Sequence, residues 1–426
     1  MFRYRFHSPD YNCLSPDSFL SHVLIFDTVR RLLLVLAFAA VAERAAAQGL
    51  PEGPVSALDG RMVVSGEVVL TAGADDDTAF FNYTNYEHNA LRMMRLGMSA
   101  VYRPAHWVAF VGEIRSEDLE HPLPYAAYVR VHPWRNHEFD VQAGRIPPAF
   151  GAFGRRGYGN DNTVIGYPLA YQYLTSLRAD AIPATADELL TMRGRGWLAN
   201  YSVGSPEPGP GLPLVSAFEW DTGVQARWRR GPVQIIGALT NGTLSNPRVS
   251  DDNGGKQVSG RVAVTPAVGL VIGASAARGA WLSRTVTSAG VEPQQRALGA
   301  DIEYSRDHWI VRGEMVWSRF GFPAPLLPTS DTAVSARGAW AEGRYRVTPR
   351  IFVAGRADRL SFSKLQGSAP GSAPLQWDAP VERVEGSLGY YVQRNLVLRG
   401  TVQHNWRDGG FVTRRGYLSG QLAYWF

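Results

Sequence analysis

Nine charged side chains could form a constriction, because they border extended stretches and can face one another: six arginines that could recognise an anion and three acids beside them. A guanidinium keeps its charge at any physiological pH, and its planar fork matches a phosphate or a carboxylate. We expect the nine to meet across a narrow space. The alternative is that the arginines only neutralise the neighbouring acids. The nine are Arg95, Arg115, Arg130, Arg145, Arg155, Arg156, Glu113, Glu138 and Asp140.

No combination of residues predicts catalysis, a cofactor or a metal centre. The histidines are scattered, and none has the helical i, i+4 spacing around a Glu that marks a zinc site. His132 and His137 flank a tight turn, and residues 251–255 could hold Ca²⁺, but solvated loop residues are the simpler interpretation of both. His404 and Asn405 have no matching serine, base and orienting group. We therefore expect a protein that is not an enzyme.

The elements that position these charges are β-strands. From about residue 61 onwards, polar and apolar residues alternate with a period of two in seventeen stretches. The last stretch, 417–426, places Leu422, Tyr424 and Phe426 on one side. A final strand with an apolar face and a terminal aromatic residue is typical of outer-membrane β-barrels.

The turns between the strands predict their number. Seven pairs of stretches are joined by short turns rich in Pro, Gly, Asn and Asp, as hairpins require. An opening strand, 61–70, and a closing strand, 415–426, give about 16 strands in an all-β, transmembrane antiparallel β-barrel. We interpret the remaining stretch, 197–203, as a loop, because it would make the count odd. The hairpins are predicted at 91–115, 125–145, 218–241, 257–278, 296–319, 335–358 and 383–407.

The two faces of the strands predict a lipid-facing exterior and a wet interior. Amphipathic aromatic residues on the apolar face lie beside the short turns, where a periplasmic girdle is expected. The opposite face carries many arginines and acids, and burying each ion away from water would cost several kcal/mol. The interior should therefore hold water. The girdle residues are Tyr102, Trp228, Tyr304, Trp309, Tyr345 and Tyr390.

One connection, residues 146–216, is far longer than the others and follows the fifth strand. Connections longer than about 15 residues are uncommon and usually functional or disordered. This one contains eight Phe, Tyr and Trp residues, which is too apolar for a solvated, disordered segment. We expect this third outer loop to fold into the lumen, where it would narrow the aqueous channel that a 16-stranded barrel encloses.

Three short motifs carry a family resemblance. Residues 144–151 read Gly-Arg-Ile-Pro-Pro-Ala-Phe-Gly, residues 238–242 read Ala-Leu-Thr-Asn-Gly, and the chain ends Tyr-Trp-Phe. With these motifs, residues 61–426 resemble the phosphate-selective porin O/P family. The resemblance implies a trimeric, 16-stranded porin with a constricting third loop. Phosphate selectivity does not carry over, because the family's lysine-rich constriction has no counterpart: Lys256 and Lys364 are the only lysines, and neither lies in the long loop.

The N-terminal region predicts export. Arg30 and Arg31 precede an apolar run, 32–42, and an Ala-Ala-Ala sequence at 45–47 offers a cleavage site. Eleven apolar residues are too few for a membrane-spanning helix, which needs about 20. We expect a leader with a signal peptide at 1–47 (with a true start near residue 29), a periplasmic segment at 48–60, and the barrel at 61–426. The only cysteine, Cys13, lies in the leader.

The expected function is passive diffusion of small hydrophilic solutes, with a weak preference for anions, across the bacterial outer membrane. The alternatives are a channel specific for phosphate, a sugar or an organic acid, and a plugged barrel serving as an adhesin or anchor. A net charge of +5 without a basic run gives no reason to expect nucleic-acid binding.

The expected partners are membrane lipid, the barrel-assembly machinery through Phe426, and two further copies of the chain. Small residues on the lipid-facing side would let three barrels pack closely, although tight strand curvature would also explain them. These residues are Gly260, Ala274, Gly313, Gly343, Gly355, Gly386 and Gly400.

Overall fold

The fold is a closed antiparallel β-barrel of sixteen long strands. The computed structural model describes residues 51–84, 88–251, 254–287, 292–323, 333–369 and 371–426, so the predicted leader and its Cys13 lie outside the described residues. Each long strand pairs with the next along the chain, and the last pairs with the first. A closed sheet leaves no strand edge without hydrogen bonds, which a lipid environment requires.

The strands follow the period-two alternation of the sequence. They are β1 (Met62–Gly73), β2 (Met94–Ala105), β3 (Val108–Glu117), β4 (Leu123–Val131), β5 (Glu138–Ile146), β6 (Asp221–Arg230), β7 (Val233–Thr240), β8 (Gln257–Ala267), β9 (Leu270–Ala280), β10 (Gln294–Arg306), β11 (Trp309–Gly321), β12 (Ala333–Arg346), β13 (Ile351–Phe362), β14 (Val381–Gln393), β15 (Leu396–Arg407) and β16 (Arg414–Trp425).

The predicted strand count is confirmed, and so is the treatment of 197–203 as part of a loop. Within the third loop, Val203–Gly204 pairs only with Ala181–Ile182, in a two-stranded sheet separate from the barrel. Short turns alternate with long connections around the barrel. The end with the long connections is the outer end, as in bacterial barrels.

The exterior of the barrel is apolar and fits a bilayer. Outward-facing Val258, Leu298 and Ile302 are all about half exposed or more. Towards the short-turn end the exposed residues become aromatic, including Trp309 and Tyr390 of the predicted girdle. An apolar belt edged by aromatic residues is the surface of a bacterial outer-membrane barrel.

The seam between the first and last strands has an additional short strand. β16 pairs with the upper part of β1, from Glu67 opposite Trp425 to Gly73. Below that point a three-residue strand, Val55–Ala57, pairs with Met62–Val64 of β1. The lower part of β1 therefore has a neighbour on both sides although β16 ends at Trp425.

The third loop, residues 147–220, is folded. It contains a 3₁₀ turn (Phe153–Arg155) and two short helices, α1 (Leu169–Gln172) and α2 (Ala186–Thr191). Thr185 caps α2 by accepting a hydrogen bond from the Glu188 backbone N–H at 3.3 Å. Among the described residues, no helix is long and apolar enough to cross a membrane.

An apolar core joins the loop to the upper part of the barrel interior. Inward-facing Phe320, Leu360 and Phe362, near the outer ends of β11 and β13, pack in one cluster with Leu169 and Tyr173 of the loop. Burial of such side chains contributes roughly 1.5–3 kcal/mol each. The loop is therefore attached to the interior by a hydrophobic core.

The interior differs from the sequence-based expectation, because many inward-facing ions are buried instead of facing water. The loop backbone and opposite charges on neighbouring strands surround them and provide many of their hydrogen-bond partners, as water would in a solvated lumen. The alternation of residue types could not reveal this burial, because it specifies whether a side chain points inward but not which other residues cover it. The buried ions include Arg95, Glu113, Arg115, Arg261, Asp301, Glu314, Arg356, Asp358, Arg383 and Glu385.

Candidate functional site

The guanidinium of Arg115 is held between two tyrosine rings. The alternation along β3 directs both Glu113 and Arg115 inward, and Glu113 accepts a hydrogen bond from Arg115 Nε at 2.8 Å. The guanidinium carbon of Arg115 lies 3.4 Å from the ring centre of Tyr125 on β4 and 4.6 Å from that of Tyr158 in the third loop. Cation–π contacts of this kind fix a cation without neutralising it. We call Arg115, Tyr125 and Tyr158 the aromatic cage.

The loop closes the cage through a hydrogen bond. The Tyr158 hydroxyl donates to Glu113 Oε2 at 2.8 Å, so the same carboxylate orients both Arg115 and the loop tyrosine. The Tyr125 hydroxyl donates to the Ala217 carbonyl at 3.1 Å, near the end of the loop. Each cage residue therefore has a fixed side-chain orientation.

Arg95 and Arg145 lie above the cage, towards the outer end. Arg95 pairs with Glu117 at 3.0 Å and donates to the Tyr167 hydroxyl at 2.7 Å. Arg145 pairs with Glu219 at 3.3 Å. Next to it, Gly144 has φ of 128°, and a Cβ atom there would lie 2.3 Å from a backbone oxygen, so only glycine fits where the loop leaves β5.

Two cavities meet at the cage. An outer cavity of about 280 Å³ is lined by Arg95, Tyr125 and Arg145, and an inner cavity of about 360 Å³ by Glu113 and Tyr158. Arg115 lines both cavities. Arg115 is therefore the side chain that the linings of the two cavities share.

In the sector formed by β13 to β15, three arginines hold the loop backbone. Each is completely or almost completely buried and donates to carbonyl oxygens of the third loop. We call them the loop clamp. The bonds run from Arg356 Nη2 to the Gly166 carbonyl (2.8 Å), from Arg383 Nη1 to the Tyr167 carbonyl (3.1 Å) and from Arg399 Nη2 to the Gly159 carbonyl (2.9 Å).

Arg356 is the most enclosed member of the clamp. It contacts Glu385 at 2.5 Å, Asp358 at 3.3 Å and Glu342 at 3.8 Å, and its side chain is fully buried. Asp358 in turn accepts a hydrogen bond from the Leu169 backbone N–H at 3.4 Å. One guanidinium thus compensates several buried acids while it binds the loop. Removing it would leave Glu385 and Asp358 without their ion-pair partner, whereas Glu342 would keep Arg312 at 3.6 Å.

Wall carboxylates also bind backbone N–H groups of the loop. Glu314 accepts from Ala152 at 3.2 Å and from the Tyr171 hydroxyl at 2.7 Å. Glu67 accepts from Gly159 at 2.5 Å. The loop is therefore bound to inward-facing side chains on several sides of the barrel.

The first outer loop, which connects β1 to β2, joins the same assembly. Asp76 is buried there and accepts hydrogen bonds from the backbone and side-chain N–H groups of Asn82 and from the Tyr417 hydroxyl. Burial raises the pKa of the Asp76 carboxyl to about 6, although these hydrogen bonds oppose the shift. Arg383 donates to the Phe81 carbonyl at 2.8 Å and so connects this loop to the clamp.

The nine predicted site residues do not all meet. Arg95, Arg115, Arg145 and Glu113 lie around the cage and its cavities. Three others, Arg130, Glu138 and Asp140, line a separate cavity of about 490 Å³ at the short-turn end, where Arg130 pairs with Asp140 at 3.0 Å. Arg156 reaches across to pair with Glu303 on β10. The Arg155 side chain lies outside the described part of the structure.

The sequence pattern did not identify the cage tyrosines or Glu117 as site residues. Tyr158 and Tyr167 were recognised only as aromatic residues of the long loop, and Tyr125 only as a strand residue. The usable signal was an inward tyrosine at the start of β4, beside a strand that carries Glu113, Arg115 and Glu117. In the part of the chain that the structure describes, no group of three or more His, Cys, Asp and Glu is arranged to hold a metal ion.

Comparisons with known proteins agree with this architecture. No protein-family model matches the chain, and no curated protein matches it in sequence. Its structure is similar to that of Salmonella typhi OmpF in complex with daunomycin, with a TM-score of 0.52 and 13% identity over 88% of this chain and 100% of that one. It is also similar to an anion-selective porin from Comamonas acidovorans, with a TM-score of 0.50 and 9% identity over 86% and 99% of the two chains. At these identities the similarity shows that this chain has the porin fold.

Proposed function

We propose that the protein is an outer-membrane channel through which small hydrophilic solutes diffuse passively, with a weak preference for anions. The observation that carries the proposal is that Arg115 lines both an outer and an inner cavity on one side of the barrel. Pore width and the charges around the narrowest point set the selectivity of such channels. In this proposal the aromatic cage is the narrowest point.

The contacts of the cage explain why the preference should be weak. Arg115 offers a permanent positive charge to a passing anion. Glu113 lies 2.8 Å from it and Glu117 faces the outer cavity, so carboxylates offset much of that charge. A solute would therefore meet a positive centre with negative neighbours, which favours small anions only slightly.

The third loop acts as the constriction in this proposal. The clamp arginines and the wall carboxylates hold its backbone, and its Tyr158 forms one wall of the cage. The remaining passage would lie between the loop and strands β1 to β4. This arrangement is the one that the resemblance to the phosphate-selective porin O/P family implies, and membership of that family is part of the proposal.

Conductance in planar lipid bilayers tests the proposal. The purified, folded protein should give stable single-channel steps in KCl, and in a salt gradient its reversal potential should indicate a small excess of chloride over potassium permeability. Folded protein that inserts into the bilayer and produces no steps would contradict the channel function. A clear preference for cations would contradict the assignment of Arg115.

A plugged barrel is the second candidate, because the loop clamp and the apolar core fill one side of the interior. Such a barrel would serve as an adhesin or an anchor and would not conduct. A third candidate is a channel specific for phosphate, a sugar or an organic acid. Saturable block of the current by one of these solutes would favour that candidate.

We also propose a homotrimer and an exported precursor. Outward positions such as Gly343 and Gly400 have open space where a side chain would lie, so a neighbouring barrel could approach closely there. The predicted signal peptide at 1–47 and recognition of Phe426 by the barrel-assembly machinery would bring the chain to the outer membrane. Light scattering in mild detergent distinguishes a trimer from a monomer.

A further inference from the structure

Three arginines form a row on the lipid-facing side of the barrel. In the strand register, Arg278 of β9 lies directly opposite Arg296 of β10, and Arg296 lies directly opposite Arg319 of β11. All three side chains are exposed. We call them the outer arginine row.

The strand positions show that the row faces outward at the outer end. Leu298, two residues from Arg296 on the same face, is 61% exposed, and Met315 is the outward residue four positions from Arg319. The row lies within three residues of the strand ends at Ala280, Gln294 and Gly321, where the long connections begin. It therefore lies at the boundary between the apolar belt and the outer surface.

The row has no acidic partner among the residues that the structure describes. The next outward arginines, Arg337 and Arg359, extend it across β12 and β13, and only Arg359 has an acid, Glu382 at 3.5 Å. Neighbouring strands lie about 4.8 Å apart, and like charges directly opposite each other destabilise a sheet. An anion from outside the chain would therefore stabilise the three adjacent guanidiniums.

The row is confined to one sector of the barrel. The corresponding outward positions at the outer ends of β1, β2 and β3 are Ala72, Met94 and Ser116, and the outward Arg414 of β16 is a single arginine that donates to His404 Nε2 at 3.1 Å. A general interfacial preference for arginine would place basic residues around the whole circumference. Their concentration on β9 to β13 indicates a binding surface.

We propose that the outer arginine row binds the phosphate groups of glycolipid in the outer leaflet. A guanidinium binds phosphate through two parallel hydrogen bonds, and a row of three guanidiniums can hold more than one phosphate group at once. The arginine stems lie over the edge of the apolar belt, where the acyl chains of a lipid would continue downwards. A lipid fits this surface better than a free anion, because the surface lies next to Leu298 and Met315 and not in a closed polar pocket.

Native mass spectrometry of the full-length protein in detergent tests the proposal, with lipid A bearing two phosphate groups as the probe. The wild-type protein should retain the lipid. The triple variant Arg278→Gln, Arg296→Gln, Arg319→Gln should bind it about a hundredfold more weakly, given the attraction of each basic residue to an anionic lipid surface. A matched variant, Arg103→Gln, Arg230→Gln, Arg350→Gln, removes three exposed arginines near the short-turn end and should bind like the wild type.

Three outcomes would overturn the proposal. One is equal retention of the lipid by the triple variant, with the barrel shown to be folded by its strand circular-dichroism signal. Another is equal binding of dephosphorylated lipid A, which would show that phosphate is not what is recognised. The third is displacement of the lipid by millimolar inorganic phosphate, which would make the row a site for a free anion.

Discussion

The two sides of the barrel interior use the same residue types in opposite ways. On the side of β13 to β15, buried Arg356, Arg383 and Arg399 donate to the third loop's carbonyl groups. On the side of β3 and β4, Arg115 stacks between two tyrosine rings and lines two cavities. The clamp arginines hold the loop, and in the proposed channel the cage arginine would meet the solute.

The difference follows from what covers each guanidinium. Carbonyl and amide oxygens, together with a carboxylate at Arg356, accept hydrogen bonds from most of the directional N–H groups of the clamp arginines, so these arginines have little capacity left for a ligand. Aromatic faces contact the flat side of Arg115 and leave part of its edge towards the cavities. The charge of an inward arginine therefore does not by itself predict a role in permeation.

The largest effect should come from breaking the clamp at Arg356. Arg356→Ala leaves Glu385 and Asp358 without their shared counter-charge, which costs about 3–5 kcal/mol for a broken buried pair. The free energy of unfolding in detergent should fall by this amount. Single-channel currents should become noisier, because the loop loses its bond to the Gly166 carbonyl.

An exposed arginine on the same strand provides the control for this variant. Arg359 points outward and pairs with Glu382 across 3.5 Å, with both side chains more than half exposed. Arg359→Ala should change the free energy of unfolding by about 0–1 kcal/mol. Equal effects of the two substitutions would show that the clamp does not hold the loop.

The next largest expected effect is a pH-dependent change in the free energy of unfolding. It arises from Asp76 in the first loop, which the clamp also binds. The pKa of Asp76 is raised by burial to about 6 from an ordinary value of 3.8, so the folded state favours the protonated acid. Its stabilising contribution is complete below about pH 4 and is lost as the pH rises through 6, a change of up to about 3 kcal/mol. Urea unfolding between pH 4 and 7.5 should show this loss.

Asp76→Asn should flatten that pH profile, since the amide does not titrate. Asp59→Asn, in an exposed turn near the opposite end, should leave the profile as in the wild type. A profile that is unchanged in Asp76→Asn would mean that other groups cause the pH dependence.

A smaller effect, on the ratio of anion to cation permeability, is expected at the aromatic cage. Removing one charge about 4 Å from the solute path changes its energy by roughly 1 kcal/mol in water, or about fivefold in the ratio of anion to cation permeability. Arg115→Ala should move the reversal potential towards that of a cation-selective channel and raise the conductance. Arg115→Lys keeps the charge and should keep most of the selectivity. An unchanged reversal potential in Arg115→Ala would place the path elsewhere.

The smallest effect is expected at Arg156. It was predicted from sequence to border the constriction, but it pairs with Glu303 on β10, away from the cage. Arg156→Ala should cost about 1 kcal/mol of stability or less and leave the reversal potential unchanged. A shift as large as that of Arg115→Ala would show that the path runs on the β10 side.

The strands and the directions of their side chains could be predicted from sequence, because a period of two is a local property. The roles of the inward charges could not. Arg115 lies two residues from Glu113 and Glu117, and Arg356 lies two residues from Asp358, so the two patterns look alike. Only the path of the third loop distinguishes the roles of Arg115 and Arg356. That path depends on contacts between residues far apart in the sequence, such as Tyr167 and Arg383.

The seam at β1 has a consequence for how the chain folds. Glu67 pairs with Trp425, so closure joins residues from opposite ends of the barrel sequence, and such non-local pairings form slowly because a long loop must close first. Until then β1 presents an open edge that could pair with another chain. The strand Val55–Ala57 can fold back onto Met62–Val64 immediately, since only a short turn separates them. It would therefore cover part of the β1 edge while closure of the barrel, the slowest step of assembly, is still incomplete.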